Sequence, residues 1–162
     1  MDLEQVEINE DFVACFSEIE NTDSCVFITG RAGTGKSTLL NYWKKRTLKK
    51  HVILAPTGIA ALNVGGQTIH SFFRFPPKIL SPKDIKKRKF AKIYQKLDMI
   101  VIDEISMVRV DLMAQIDLFL RINRNSDQPF GGVQMVFFGD LFQLPPVVSL
   151  SLIHISEPTR PY

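Results

Sequence analysis

Two cysteines, Cys15 and Cys25, are all that this 162-residue chain carries. That excludes the disulfide framework of a small secreted domain, and Cys25, at the edge of an apolar run, reads as a small core residue at a strand start. No apolar stretch approaches the roughly 18 residues of a membrane-spanning helix, and residues 1–24 are acidic and polar rather than leader-like. The expectation is a soluble protein in a reducing, nucleotide-rich compartment (cytoplasm or nucleoid, or nucleus in a eukaryote) with no membrane partner. Charge of one sign is also scarce. A net charge of +3 allows a nucleic-acid partner but does not demand one. Internal repeats are absent. What is present is a 45% hydrophobic composition, enough for the core of one domain.

The basic residues that do occur are clustered. Lys44, Lys45, Arg46, Lys49 and Lys50 form one group; Lys83, Lys86, Lys87, Arg88, Lys89, Lys92 and Lys96 form another. Each reads equally well as a solvated face or as a nucleic-acid contact.

The stretch richest in chemistry is Gly30-Arg31-Ala32-Gly33-Thr34-Gly35-Lys36-Ser37, directly after the apolar run Cys25–Thr29. It fits the phosphate-binding pattern G-x-x-x-x-G-K-[ST], set between a strand and a helix as that pattern requires. Glycines let successive backbone N–H groups turn inward around phosphates, Lys36 reaches the outer phosphates, and the Ser37 hydroxyl can ligate magnesium. A nucleoside triphosphate is the expected ligand, held by Gly30, Ala32, Gly33, Thr34, Gly35, Lys36, Ser37 and Thr38.

Strands and helices alternate along the chain. The spacing of Phe12, Val13, Phe16 and Ile19 predicts an amphipathic helix over about 10–19. A strand follows at 25–29, a helix at about 36–48, and a buried strand at 51–55. Pro56-Thr57-Gly58 then breaks the chain before a short helix through Leu62. Residues 63–80 read as loop-rich and aromatic, with Pro76-Pro77 as a stop, and roughly 82–96 as a basic helix. A third strand at 99–102 ends in Asp103-Glu104. A broadly buried helix carries Val110, Met113, Ala114, Asp117 and Leu120 on one side, with Leu112, Ile116 and Phe119 beside them. A fourth strand at 133–138 ends in Gly139-Asp140. Near-continuous apolar strands separated by helices predict an α/β fold with a parallel sheet covered on both faces, and such sheets bind ligands at the carboxyl ends of their strands. Every motif singled out here lies at such an end. Asp103-Glu104 supplies the second nucleotide signal: the first carboxylate suits a magnesium shell, the second the polarisation of an attacking water.

Taken in order, Gly30–Thr38, Ala55–Ala61, Gly66–Phe72, Asp103–Met107 and Gly139–Pro146 resemble motifs I, Ia, Ib, II and III of the Pif/RecD-like branch of superfamily 1 DNA helicases. The likeness covers roughly residues 10–149, and the strings Asp103-Glu104-Ile105-Ser106-Met107 and Gly139-Asp140-Leu141-Phe142-Gln143-Leu144-Pro145-Pro146 are specific to that group. It implies a P-loop NTPase of RecA-like fold, with the 133–138 strand between the phosphate-loop strand and the Asp103 strand. It implies a motor that hydrolyses ATP with magnesium and moves 5′ to 3′ on single-stranded DNA, in DNA repair, recombination or telomere maintenance. Lys36, Asp103, Glu104 and Gln143 are then the catalytic set, with Ser37 and Asp103 on the metal and Gln143 sensing the terminal phosphate. Pro56, Thr57, Gly58, His70, Ser71 and Phe72 match the segments that touch the DNA strand. Small residues and hydroxyls allow close approach to phosphate, and aromatics stack on bases. For Phe72, Phe73 and Phe75, core packing is the competing reading, expected for about half of them. The glutamine with which the family often reads adenine falls near Phe12 here, with Gln5 several residues too early.

Residues 150–160 resemble something else, the codon-by-codon translation of a transposase sequencing-library adapter. The organisation expected is therefore an amino-terminal segment over 1–24, a partial RecA-like ATPase domain over 25–149, and a non-native tail over 150–162. On this reading the second RecA-like domain, with the arginine that completes the ATP site, is missing. The chain as given is expected to bind Mg-ATP, to hydrolyse it barely, and to be marginally stable. The alternatives are a stand-alone phosphate-loop NTPase or kinase, and a nucleotide-dependent nucleic-acid-binding module.

Overall fold

Met99–Ile102 is apolar at every position, and a strand of that kind is stable only when both of its faces are covered. In the computed structural model, which describes residues 10–31 and 33–140, this strand (β4) lies at the centre of a five-stranded, all-parallel sheet. The other strands are β1 (Val26–Thr29), β2 (His51–Ala55), β3 (Gln67–Thr68) and β5 (Gln134–Gly139), in the order β1-β5-β4-β2-β3. The register pairs Val26 with Val136, Val101 with Val136, and Val52 with Ile100. The 133–138 strand thus sits between the phosphate-loop strand and the Asp103 strand, as a RecA-like fold requires.

The pleat divides the sheet's side chains between two cores. Ile28, Ile53, Met99, Val101, Val136 and Phe138 point to one face, covered by α1 (Glu10–Asn21) and α2 (Lys36–Lys44). Leu54, Ile100, Ile102 and Met135 point to the other, covered by α4 (Ile69–Phe73), α5 (Lys92–Gln95) and α6 (Val110–Arg124). The short α3 (Gly58–Asn63) follows β2. α6 carries Asp111 in its first turn and Arg121 and Arg124 in its last, complementing the helix dipole, and ends on Asn125 in the left-handed region.

Local preferences yield to tertiary partners in several places. Cys25 is exposed rather than in the core. On α1 the inward row is Phe12, Cys15, Phe16 and Ile19, and Val13 faces solvent. α2 stops at Lys44, not near residue 48, because the next residues turn to meet Glu20. Its carboxylate accepts hydrogen bonds from Trp43 Nε1, Thr47 Oγ1 and the Leu48 N–H at 3.1, 2.8 and 3.2 Å. Residues 63–80 are not all loop but contain β3 and α4, whose first turn is capped by Thr68 Oγ1 accepting from the Ser71 N–H. The basic helix expected over 82–96 is only one 3₁₀ turn (Pro82–Asp84) and the four-residue α5. Between them Ile85 is extended and buried, and the Arg88 N–H donates to Asn123 Oδ1 of α6 at 2.7 Å. Repulsion among the cations at 86–89 works against helix there as well. Val110 and Ala114 face solvent, so the buried side of α6 centres on Gln115, Ile116, Phe119, Leu120 and Asn123.

Candidate nucleotide site

Because all five strands run parallel, the loops after them emerge at one end of the sheet. The phosphate-loop residues follow β1, Pro56-Thr57-Gly58 follow β2, His70 and Ser71 lie just past β3, Asp103-Glu104 follow β4, and Asp140 follows β5. One edge of the sheet therefore gathers residues spread over more than a hundred positions of sequence.

In the phosphate loop Gly33 and Gly35 have φ of 81° and 90°, a region that only glycine enters freely. Thr34 closes the loop on itself, its hydroxyl donating to the Arg31 carbonyl at 2.8 Å. Gly35 caps α2 without a side chain, so the amides of the first helical turn are left to bind an anion. Lys36 Nζ donates to the carbonyls of Gly30 and Arg31. The ammonium is thus held at the mouth of the loop, where a phosphate would take over from those carbonyls. Ser37 is exposed in the same turn and Thr38 is half-buried; Ala32 lies outside the described residues.

Asp103 is anchored through its backbone, its N–H donating to the Leu54 carbonyl at 2.8 Å. Burial lifts its carboxyl above the ordinary aspartate range, and the charge of Glu104 adds to that lift. A bond from the Glu104 backbone and the charge of Lys36 pull it back down. Glu104 sits at φ 53°, an uncommon conformation for a glutamate. The Ile105–Met107 turn that follows packs on Gly139 so closely that a Cβ there would lie 2.6 Å from Ile105 Cγ2. The loop bearing Glu104 is therefore braced against the end of β5.

Hard oxygen donors are what magnesium takes, and it commonly binds through one or two protein oxygens and the substrate phosphates. The Ser37 hydroxyl and a desolvated Asp103 carboxylate suit that mode. Among the described residues no group of three or more His, Cys, Asp or Glu could hold a metal alone, so substrate oxygens would complete the shell.

The residues expected on DNA are placed unevenly. Thr57 Oγ1 caps α3 by accepting from the Ala60 N–H at 3.2 Å. Pro56 and His70 are half-buried, and Gly58 and Ser71 are exposed. Phe72 is 8% exposed, and Phe73 and Phe75 are buried with it, so all three rings belong to the core rather than about half of them. Phe72 packs edge-on against Phe73 and Tyr94. The rim of its ring still lines a cavity of about 680 Å³ with Ser71, Arg74, Lys87, Lys89 and Phe90. Phe90, 76% exposed, is the solvent-facing aromatic there. Much of the first basic cluster is tied down: Lys44 donates to the Val64 and Gly65 carbonyls, and Lys49 to the Ile19 and Thr22 carbonyls and Gln134 Oε1. Gln143 and the rest of 141–162, including the adapter-like tail, lie outside the described residues.

The resemblance marks only the position near Phe12 on α1, whereas the wall that α1 gives the site also takes in Asp11 and Cys15. Asp11, Phe12 and Cys15 line a cavity of about 250 Å³ with Thr34, Gly35 and Lys36. Their i, i+1, i+4 spacing is the signal that could have found it.

A model of the PIF1-like helicase matches residues 2–153. The chain belongs to the PIF1-like helicase family. It is 40% identical over 147 residues to the ATP-dependent DNA helicase PIF1 of Saccharomyces cerevisiae, covering 84% of this chain and 16% of that protein. Among solved structures it resembles a Bacteroides Pif1 bound to single-stranded DNA, with a TM-score of 0.84, 43% identity, and coverage of 93% of this chain and 36% of that one. A Bacteroides Pif1 complex with ADP-AlF3 and single-stranded DNA gives a TM-score of 0.85 and 42% identity over 93% of this chain and 36% of that one. The fold is thus that of the RecA-like domain of these helicases. This PIF1-like chain spans roughly a sixth of the yeast relative and about a third of the solved chains. Among its described residues no helix is long and apolar enough to cross a membrane.

Proposed function

We propose that this chain is the ATP-binding part of a DNA helicase motor that hydrolyses ATP with magnesium and moves 5′ to 3′ along single-stranded DNA. The observation that carries the reading is the meeting of the phosphate loop and Asp103-Glu104 at one end of the sheet, flanking β5. The amides of α2 and Lys36 bind the phosphates, Ser37 and Asp103 hold the magnesium, and Glu104 accepts a proton from the attacking water. Magnesium held there would supply neutralisation of the negative charge on the outer phosphates. Catalysis of this kind is mostly positioning and charge stabilisation, which suits groups fixed on strand ends and braced by the Ile105–Gly139 contact. Gln143 is proposed as the sensor of the terminal phosphate. A second RecA-like domain is proposed to supply the remaining cation; a missing arginine of that kind lowers phosphoryl-transfer rates by about 10³–10⁵.

Support for a DNA path comes from the same edge of the sheet. His70 lines a cavity of about 350 Å³ with Lys78 and Arg109, and Ser71 lines the basic cavity beside α5. Cations with an exposed aromatic between them are the elements that hold a single strand. Together with Pro56, Thr57 and Gly58 they form the proposed contact face. The test measures ATP turnover by this chain with and without single-stranded DNA, beside its Glu104→Gln variant. The expected result is tight Mg-ATP binding with very slow turnover, abolished in the variant. Phosphoryl transfer to a small acceptor with indifference to DNA would overturn the reading in favour of a kinase.

A further inference from the structure

β1 forms one edge of the sheet: it pairs with β5 on one side and with no described strand on the other. The opposite edge, β3, is only two residues long, which blunts it. β1 reads Val26-Phe27-Ile28-Thr29, without the lysine or proline that commonly guards an edge. Its pleat sends Ile28 into the core and leaves Phe27 facing outward, 44% exposed and part of neither core. The outward row continues past the strand at the same spacing. Asp23, Cys25, Phe27, Thr29 and Arg31 are all exposed, whereas Val26, Ile28 and Gly30 between them are buried or half-buried. The row is self-complementary about its centre: an acid at one end, a base at the other, a small side chain inside each, and an aromatic ring in the middle. The charges at its ends are available. The Asp23 side chain is fully exposed, with Lys49 at 3.9 Å, and that ammonium already donates to the Ile19 and Thr22 carbonyls and to Gln134 Oε1. Arg31 joins the hydrogen bonds of its loop through its carbonyl, and its guanidinium has no partner among the described residues.

We infer that β1 docks antiparallel on β1 of a second copy of this chain, about a two-fold axis through Phe27, joining the two sheets into one. Residues directly opposite in an antiparallel pair share a face, with Cβ atoms about 4.5–5.5 Å apart. A register centred on Phe27 sets that ring against its own copy. It sets Cys25 against Thr29 and Asp23 against Arg31, each on both sides of the axis. The two rings gain an aromatic contact, and two unlike charges meet at either end of the ladder. A slip of two residues in either direction removes both ion pairs and separates the rings, so the row specifies its own register. This complementarity of the strand with itself is what selects a second copy as the occupant of the edge. The two-fold uses up the β1 edge of both copies, so association stops at the dimer. A ladder this short makes a small contact, and the dimer belongs to the weak, concentration-dependent class.

The test is sedimentation equilibrium of the chain without nucleotide, in reducing buffer, from about 1 to 200 µM. A monomer–dimer equilibrium is expected. Phe27→Asp and Arg31→Glu are each expected to raise the dissociation constant by at least about tenfold, because every substitution acts twice in the dimer. Exchanging the charges, Asp23→Arg with Arg31→Asp, is expected to return it to within about threefold of the wild type. All three positions are exposed, so these variants keep the fold. The register is read by oxidation of Thr29→Cys, which is expected to give a dimer linked through Cys25 that disappears when Cys25→Ser is added. Monomer throughout the range, assembly beyond the dimer, or a dimer indifferent to Arg31→Glu would overturn the inference. So would failure of the exchanged pair to restore association, or absence of the link in Thr29→Cys.

Discussion

Gly139→Ala adds one methyl group at the end of β5, where space is short. Its Cβ would stand 2.6 Å from Ile105 Cγ2, whereas two carbons rest at about 3.5–4.0 Å. About 1 Å must be opened. Ile105 cannot yield easily, because its Cγ2 branches directly from Cβ and its backbone continues from Glu104 at φ 53°. Overpacking of this kind costs about 1–3 kcal/mol. In a chain of this size, at about 2–4 °C per kcal/mol, that is a fall of roughly 2–12 °C in Tm. The displacement falls on the residue next to Glu104, and a shift of about 1 Å at a catalytic constellation is worth up to about 10²-fold. Thermal unfolding and Mg-ATP titration are measured for Gly139→Ala, Ile105→Ala and the double variant. The expected outcome is a Gly139→Ala penalty that nearly vanishes in the Ile105→Ala background, with nucleotide affinity restored in parallel. An equal penalty in both backgrounds would refute the bracing argument.

Three further outcomes are expected. Glu20→Ala leaves the buried Trp43 indole N–H and the Thr47 hydroxyl without their acceptor. A loss of about 2 kcal/mol is expected by denaturant unfolding, with the emission of the chain's one tryptophan shifted to the red. Phe72→Ala is expected to cost about 3–5 kcal/mol because the ring packs in the core, whereas Phe72→Leu keeps single-stranded DNA affinity within about twofold by fluorescence anisotropy. A large loss of DNA affinity in a fully stable Phe72→Leu would mark the ring as a base-stacking platform instead. Phe90→Ala, at an exposed position beside Lys87 and Lys89, is expected to leave Tm unchanged and to weaken DNA binding by roughly tenfold.

Where burial on two faces dictates composition, the chain could be read directly. His51–Ala55 and Met99–Ile102 are strands at the expected bounds, since continuous apolar runs of that length fit little else in an alternating α/β pattern. The geometry of the phosphate loop was equally legible, because Gly33 and Gly35 take the positive φ that only glycine enters freely and Asp103 follows directly on β4. The failures come from side chains whose partners lie far off in sequence. Glu20 ends α2, Asn123 pins the Arg88 backbone outside any helix, and Tyr94 and Phe119 draw Phe72, Phe73 and Phe75 inward. Aromatics beside cations look like a binding platform in one dimension. The sheet's second core decides between the readings, and that core is not visible locally. On α1 the resemblance pointed to the position near Phe12, but the place of Asp11 and Cys15 beside it was hidden for the same reason, the helix periodicity marking an inward face without saying what that face meets.

The central claim is that this chain holds a magnesium nucleoside triphosphate on Gly30–Ser37 and Asp103, and calorimetric titration with Mg-ATP tests it most directly. The account predicts one site per chain, lost by at least about a hundredfold in Lys36→Ala while the unfolding transition of that variant stays in place, because among the described residues the Lys36 ammonium bonds to two loop carbonyls and nothing in the core. Absence of binding by the wild type, or equal binding by Lys36→Ala, would contradict it.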